Sequence, residues 1–176
     1  ADARGLLKTA LKDNNTIIFV EHSLLYGTKG NVPDGDYEIP FGKADVKHEG
    51  KDITLVSYLR MTQTALAAAQ ALAKDGIEAE VVDVRSVAPL DTERLMNESV
   101  SRTGRVIIVD NDWSFCGLAA ELAARITQEC WPYLKAAPER LGFAHVPCPT
   151  ARPLETLFYP SAQHIVRAAE QILGLD

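Results

Sequence analysis

Residues 78–118 read EAEVVDVRSVAPLDTERLMNESVSRTGRVIIVDNDWSFCGL, and their pattern decides the fold. Ala79, Val81, Val82 and Val84, then Val106, Ile107, Ile108 and Val109, form apolar, largely β-branched runs of strand length. Near-continuous apolar strands separated by a helix are what a parallel sheet requires, because each crossover lays a helix over one face and buries both. Leu90-Asp91-Thr92-Glu93 opens that crossover helix. The Asp91 carboxylate can accept from free first-turn amides, Glu93 adds negative charge at the positive helix end, and Pro89 holds the approach extended. Gly104 ends the helix. The expected fold class is α/β, a three-layer αβα arrangement with a mostly parallel sheet and an antiparallel edge strand.

Composition narrows the function classes. At 176 residues and 47% apolar content, the chain can bury one substantial α/β core and still carry an appendage. A formal charge of −6, with no Lys/Arg stripe interleaved with aromatics, argues against nucleic acid as a partner. No apolar run approaches the roughly 20 residues needed to span a bilayer, and the N-terminus lacks the order of a signal peptide. No membrane partner is expected, and a cytoplasmic or organelle-matrix location fits. Cys116, Cys130 and Cys148 are widely spaced and form no C-x-x-C pair, so they read as reduced thiols.

Working outward, residues 3–12 put Leu6, Leu7, Ala10 and Leu11 on one helical face, and Thr16–Val20 read as a short apolar strand. His22 to Lys43, carrying Gly27, Gly30, Pro33, Gly35, Pro40 and Gly42, is too long and turn-rich for a connection inside a compact domain. The main domain is expected to open with a hairpin, Ala44–Lys47 and Ile53–Tyr58 around Glu49-Gly50. An alanine-rich helix from Met61 to Lys74 ending at Gly76 follows. Beyond the opening stretch lie a helix over 117–129, a strand over 140–143, a proline-broken loop, and a helix over 161–173. The expected organisation is 1–21, 22–43 as linker, and 44–176.

Catalytic motifs are missing: there is no G-x-G-x-x-G after a strand, no G-x-x-x-x-G-K-[ST], no G-x-S-x-G, and no H-E-x-x-H. No catalytic or cofactor-binding residue is assigned. Glu21 and His22 adjoin, yet neighbours in an extended chain point to opposite sides. His48 sits in the expected hairpin turn, exposed to solvent; His145 and His164 suit surface or capping roles. Asp110, Asn111, Asp112 and Trp113 end a buried strand ahead of Gly117, where open α/β sheets place ligands. Without phosphate-cradling glycines, contact with a neighbouring domain or subunit is the better reading of that lip, and ligand binding stays open. Trp131-Pro132-Tyr133 and Phe158-Tyr159 suit either core packing or an exposed anchor for a partner.

The runs VVDVRSVAPLD (81–91), TGRVIIVDNDW (103–113) and GLAAEL (117–122) resemble the C-terminal domain of transketolase-like, thiamine-diphosphate-dependent enzymes. GLLKTALKDNNTIIFVEHSLLYG (5–27) and VPDGDYEIPFG (32–42) resemble the junction between pyrimidine-binding and C-terminal domains in beta subunits of two-subunit 2-oxo acid dehydrogenases, of pyruvate or acetoin type, leaning toward acetoin. The resemblance implies an oxidoreductase within a multienzyme complex, with residues 1–21 as the last helix and strand of a truncated pyrimidine-binding domain. It further implies that thiamine diphosphate and magnesium are held by the alpha subunit's G-D-G motif and downstream asparagine. The activating glutamate lies in the pyrimidine-binding domain. Gly35-Asp36 does not match that motif, so the fragment alone is expected inactive. Its implied work is assembly with the alpha subunit and a second beta subunit, and docking of the acyltransferase component.

The resemblance also implies a structural potassium ion, with oxygens at positions matching Ala10, Leu11, Asp13 and Asn15. A helix end supplies free carbonyls for such a site, and the alternative is a plain capped turn. With at least one ligand expected from outside the chain, firm binding is not expected. Departures are Cys116 and Ala119, where a more glycine-rich turn is usual, and Tyr58-Leu59, where more polar residues follow the second strand. Two alternatives stand beside this reading: a stand-alone interaction or regulatory module of the same fold, and the C-terminal domain of a single-chain transketolase or deoxyxylulose phosphate synthase. The substrate is not legible.

Overall fold

A computed structural model describes residues 1–175; Asp176, the last residue of the expected 44–176 domain, lies outside the described residues. Helix α1 (Asp2–Lys12) precedes a long irregular segment, and strand β1 (Asp45–His48) opens the main domain. Then come β2 (Ile53–Ser57), α2 (Arg60–Leu72), β3 (Ala79–Asp83), the crossover helix α3, β4 (Val106–Trp113), α4 (Leu118–Cys130), β5 (Glu139–Phe143), α5 (Arg152–Phe158) and α6 (Ala162–Leu173). Helix α3 is wound in two parts, a π-helical run Glu93–Val100 and a closing turn Ser101–Thr103. The five strands form one sheet in the order β1-β3-β2-β4-β5, parallel except for β1.

Period-2 alternation divides the core. Ile53, Leu55, Ala79, Val81, Ile107 and Val109 face α2 and α6, while Val56, Val82, Val84, Val106 and Ile108 face α3 and α4. Small residues let the first layer sit close: Ala65, Ala68 and Ala69 of α2 are fully buried beside the buried Ala168 and Ala169 of α6. Asp91 does cap the crossover helix, accepting from the Arg94 amide at 3.1 Å, and Gly104 follows its last turn in a left-handed conformation. Ser101 Oγ donates to the Met96 carbonyl at 2.7 Å, spanning the wide turn of the π-helical run.

The expected hairpin is not formed. β1 pairs antiparallel with β3, and β3 lies between it and β2. The connection must therefore arch over the start of β3, where the Lys51 and Asp52 amides both donate to the Glu78 carbonyl. Gly50 is what permits the crossing: a Cβ there would stand 2.3 Å from the Ala79 carbonyl carbon and the Glu80 nitrogen. His48 accordingly lies within β1, its Nδ1 at 2.9 Å from the Ala79 carbonyl, and not in an exposed turn. Residues 16–20 belong to no helix or sheet, and Ile18 is 87% exposed. The segment has strand chemistry without a ladder neighbour among the described residues. The proline-broken loop holds α5, with Pro153 in its first turn, where a missing amide costs nothing.

One buried polar group ties the sheet to α3. Glu80 is 1% exposed. It accepts from Thr54 Oγ1 at 3.0 Å and from Arg102 at 2.5 Å, and Arg102 also donates to the Gly50 carbonyl at 2.7 Å. Arg102 thus holds the buried carboxylate and the loop that arches over β3. Arg102→Ala leaves Glu80 buried without its counter-charge, and urea unfolding is expected to register a loss of about 3 kcal/mol.

Candidate functional site

The chain leaves β2 through α2 on one face of the sheet and leaves β4 through α4 on the other, while β2 and β4 are neighbours. This is a topological switch point, where a crevice opens beyond the strand ends. Tyr58 follows β2 and Asp110 lies in β4. Asp110 is fully buried; Tyr58 Oη donates to its Oδ1, and the Ala119 amide in the first turn of α4 donates to its Oδ2 at 2.8 Å. Gly117 leaves room for this arrangement, since a Cβ would stand 3.2 Å from Asp110 Oδ2 and 2.3 Å from the Trp113 carbonyl. Burial, then the hydrogen bond to Asp110 and the charges of Asp110 and Asp112, push the Tyr58 phenol well above its ordinary range. Tyr58 therefore stays a proton donor and cannot serve as a base near neutrality. The Asp110 carboxylate at this point is engaged within the chain, where it already joins β2, β4 and α4.

Among the described residues, three other than glycine have positive φ, and each follows a central strand: Leu59 (φ 49°) after β2, Arg85 (φ 52°) after β3, and Cys116 (φ 57°) after β4. Such conformations cost on the order of 1 kcal/mol each and need local support. For Arg85 the support is visible. Its amide donates to Asp83 Oδ1 at 3.1 Å, and its guanidinium donates to the Lys43 and Ala44 carbonyls at 3.0 and 3.2 Å. Burial raises Asp83 to about 6, against the pull of the Arg85 amide and the Lys47 charge.

The residues singled out by sequence are scattered. In the last turn of α1, the Ala10 and Leu11 carbonyls precede Asp13, whose Oδ1 accepts from the Asn15 amide and the Asn15 side chain, both at 2.8 Å. These two hydrogen bonds hold the exposed Asp13 carboxyl below its usual range. The donors are hard oxygens, suited to a monovalent cation, but one oxygen of Asp13 is already engaged within the turn. Among the described residues, no group of three or more His, Cys, Asp or Glu is placed to hold a metal.

His22 Nδ1 accepts from the Leu24 amide at 3.3 Å, and its Nε2 lies 3.3 Å from the Asn111 side-chain amide, so the irregular segment touches the lip of the crevice. Glu21 turns away to accept from Tyr26 Oη. His164 completes a capping box with Ser161. His145 meets Trp113 edge-to-face and Phe115 at a tilt, at centroid distances of 5.0 and 4.9 Å. Phe143, Phe158 and Tyr159 line a shallow pocket of about 300 Å³, whereas Trp131 and Tyr133 stand exposed on another face. Sequence reasoning missed two pairs, Tyr58 with Asp110 and Asp83 with Arg85. The available signal was Tyr58 itself, an unusual polar aromatic directly after a buried strand.

Comparison with known proteins follows the same outline. The family model described as transketolase, C-terminal domain, matches residues 42–165. The chain is 44% identical over 172 residues to the acetoin:2,6-dichlorophenolindophenol oxidoreductase subunit beta of Cupriavidus necator, covering 98% of this chain and 51% of that protein. It is 42% identical over 174 residues to the mitochondrial pyruvate dehydrogenase E1 component subunit beta of Pisum sativum, covering 97% and 48%. The chain thus spans about half the length of the curated relatives it matches. A solved structure described as a split gene transketolase, inactive beta4 tetramer, superposes with a TM-score of 0.68 at 32% identity, covering 83% of this chain and 47% of that one.

The Asp83–Arg85 pair makes a pH-dependent prediction. Because folding raises Asp83 from 3.8 to about 6, its neutral form is favoured in the fold and stability is lost as pH climbs between those values. Asp83→Asn keeps the oxygen that accepts from Arg85. It is expected to stabilise the protein on the order of 2 kcal/mol at pH 7, with the gain vanishing near pH 4, as read by urea unfolding at both pH values.

Proposed function

We propose, for a chain that belongs to the transketolase C-terminal-domain family, that it is the C-terminal portion of the beta subunit of a thiamine-diphosphate-dependent pyruvate or acetoin dehydrogenase, and that its work there is assembly. The observation that carries this reading is alignment of 98% of the chain, at 44% identity, with an acetoin-oxidising enzyme's beta subunit. In that setting residues 1–21 are the last helix and strand of a pyrimidine-binding domain, 22–43 is the linker, and 44–176 is the transketolase-like domain. Thiamine diphosphate, when bound in the whole enzyme, supplies the carbanion chemistry; magnesium and the pyrophosphate fall to the alpha subunit. Ala10, Leu11, Asp13 and Asn15 contribute at most part of a potassium site. The Tyr58–Asp110 pair supports a scaffold role, since both oxygens of the buried carboxylate are satisfied within the chain.

The partners on this reading are an alpha subunit, a second beta subunit and the acyltransferase component. Exposed apolar side chains supply candidate contact surface, among them Phe115, Trp131, Leu154 and Leu157. The tetramer named for the split-gene transketolase structure favours self-association of such subunits. No helix among the described residues is long and apolar enough to cross a membrane, and relatives named as mitochondrial favour an organelle-matrix setting.

A chimera tests the reading. The matching half of the Cupriavidus necator beta subunit is replaced by this chain and co-expressed with that enzyme's alpha subunit. The chimera is expected to assemble and to reduce 2,6-dichlorophenolindophenol with acetoin, keeping the host's substrate preference. A soluble chimera that does not join the alpha subunit, or one whose preference moves to another substrate, overturns it.

A further inference from the structure

We infer that Asp2, Asp45, Lys47 and Arg85 form an electrostatic clamp that fixes α1 and the strap beside it to the antiparallel edge of the sheet. Through it, the N-terminal helix and the main domain hold one relative position. This device does not depend on the proposed activity.

The clamp works between a plate and a strap. The plate is β1, an edge strand paired only to β3. Lys47 Nζ on that strand donates to Asp2 Oδ2 at 2.5 Å and to Asp45 Oδ2 at 2.6 Å. Arg85, held in left-handed backbone after β3, reaches Asp2 Oδ1 at 3.3 Å and Asp45 Oδ2 at 3.8 Å while binding the Lys43 and Ala44 carbonyls. Asp2 is therefore shared by two cations, one on β1 and one just beyond β3. Burial alone would raise its carboxyl, but the Lys47 hydrogen bond and the Lys47 and Arg85 charges outweigh it and hold the group below its usual range. The Arg85 side chain is only 12% exposed, so these pairs are less screened than ordinary surface pairs.

The strap is residues 33–39. Ile39 and Gly5 bond amide to carbonyl at 3.2 Å, Thr9 Oγ1 donates to the Ile39 carbonyl at 2.7 Å, Tyr37 Oη donates to the Ala1 carbonyl at 2.7 Å, and Arg4 donates to the Gly35 carbonyl at 2.7 Å. Lys8 and Lys12 pair with Asp36 and Glu38 along the same side. α1 is thus held by its own strap on one flank and by the sheet edge at its first turn. Residues 13–32 leave and re-enter this fixed body as an arm, tethered to the crevice lip through His22 and Asn111. The arm presents Ile18, Val20, Leu24 and Tyr26 to solvent, each more than half exposed. Whatever the arm touches is placed relative to the sheet by the clamp.

Limited trypsin digestion of the full chain tests the coupling, with cleavage after Lys29 on the exposed arm as internal reference. The Lys43–Ala44 peptide is shielded while Arg85 holds both carbonyls and Asp91 accepts from the Ala44 amide at 3.0 Å. Arg85→Gln is expected to raise cleavage after Lys43 by about tenfold with cleavage after Lys29 unchanged, because cleavage tracks the opened population. Asp2→Asn, remote in sequence, is expected to raise the same cleavage by at least about threefold, and Asp2→Glu to restore it. Wild-type cleavage after Lys43 in Asp2→Asn overturns the clamp, since Arg85 would then act on its own loop alone. Should Arg85→Gln be cut throughout the chain, the Asp2→Asn and Asp2→Glu pair still decides.

Discussion

The fold turns on one buried carboxylate. Two neighbouring parallel strands, β2 and β4, send their helices to opposite faces, which would leave an open crevice and two unsupported turns where the chain departs. Asp110 fills that point, accepting from Tyr58 beyond β2 and from the first turn of α4. Burying a carboxylate is costly unless both oxygens are satisfied. Here a phenol and a backbone amide satisfy them, and each donor belongs to one of the elements that must be held. The positive-φ residues Leu59 and Cys116 sit in those same two turns, so the strain of the departures is carried beside the group that fixes them.

Much of the sheet was legible because its signals are local. β-branched runs of strand length, Asp91 ahead of Thr92-Glu93, and glycines after α2 and α3 are facts about neighbours in sequence. The pairing of β1 was not legible. Two short apolar runs around Glu49-Gly50 satisfy every local hairpin rule, and only the position of β3 between them decides otherwise. Gly50 was present in both readings with different work: a turn residue in one, and a missing Cβ under a crossing chain in the other. Thr16–Val20 carries strand chemistry but meets no ladder neighbour among the described residues, and strand propensity needs a neighbour. The π-helical winding of α3, at whose end the Ser101 amide and hydroxyl both donate to the Met96 carbonyl, is not announced by sequence spacing.

The candidate site was half legible. Strand-end geometry pointed to Asp110–Trp113 as a lip, and absent phosphate-binding glycines argued against a nucleotide there. What sequence could not supply was the partner of Asp110, 52 residues away in the chain, or the charge cluster joining Asp2 to Arg85, 83 residues apart. Both are long-range pairings between residues that look ordinary alone. Together they place the chain's polar chemistry in service of its architecture.

The most direct test compares assembly with turnover in the alpha–beta enzyme carrying Tyr58→Phe, which leaves one oxygen of the buried Asp110 without its donor. A scaffold role predicts a lower yield or midpoint temperature of the assembled enzyme, with unchanged turnover per assembled active site and unchanged KM. Full assembly with turnover reduced tenfold or more would contradict it and place this crevice in the chemistry.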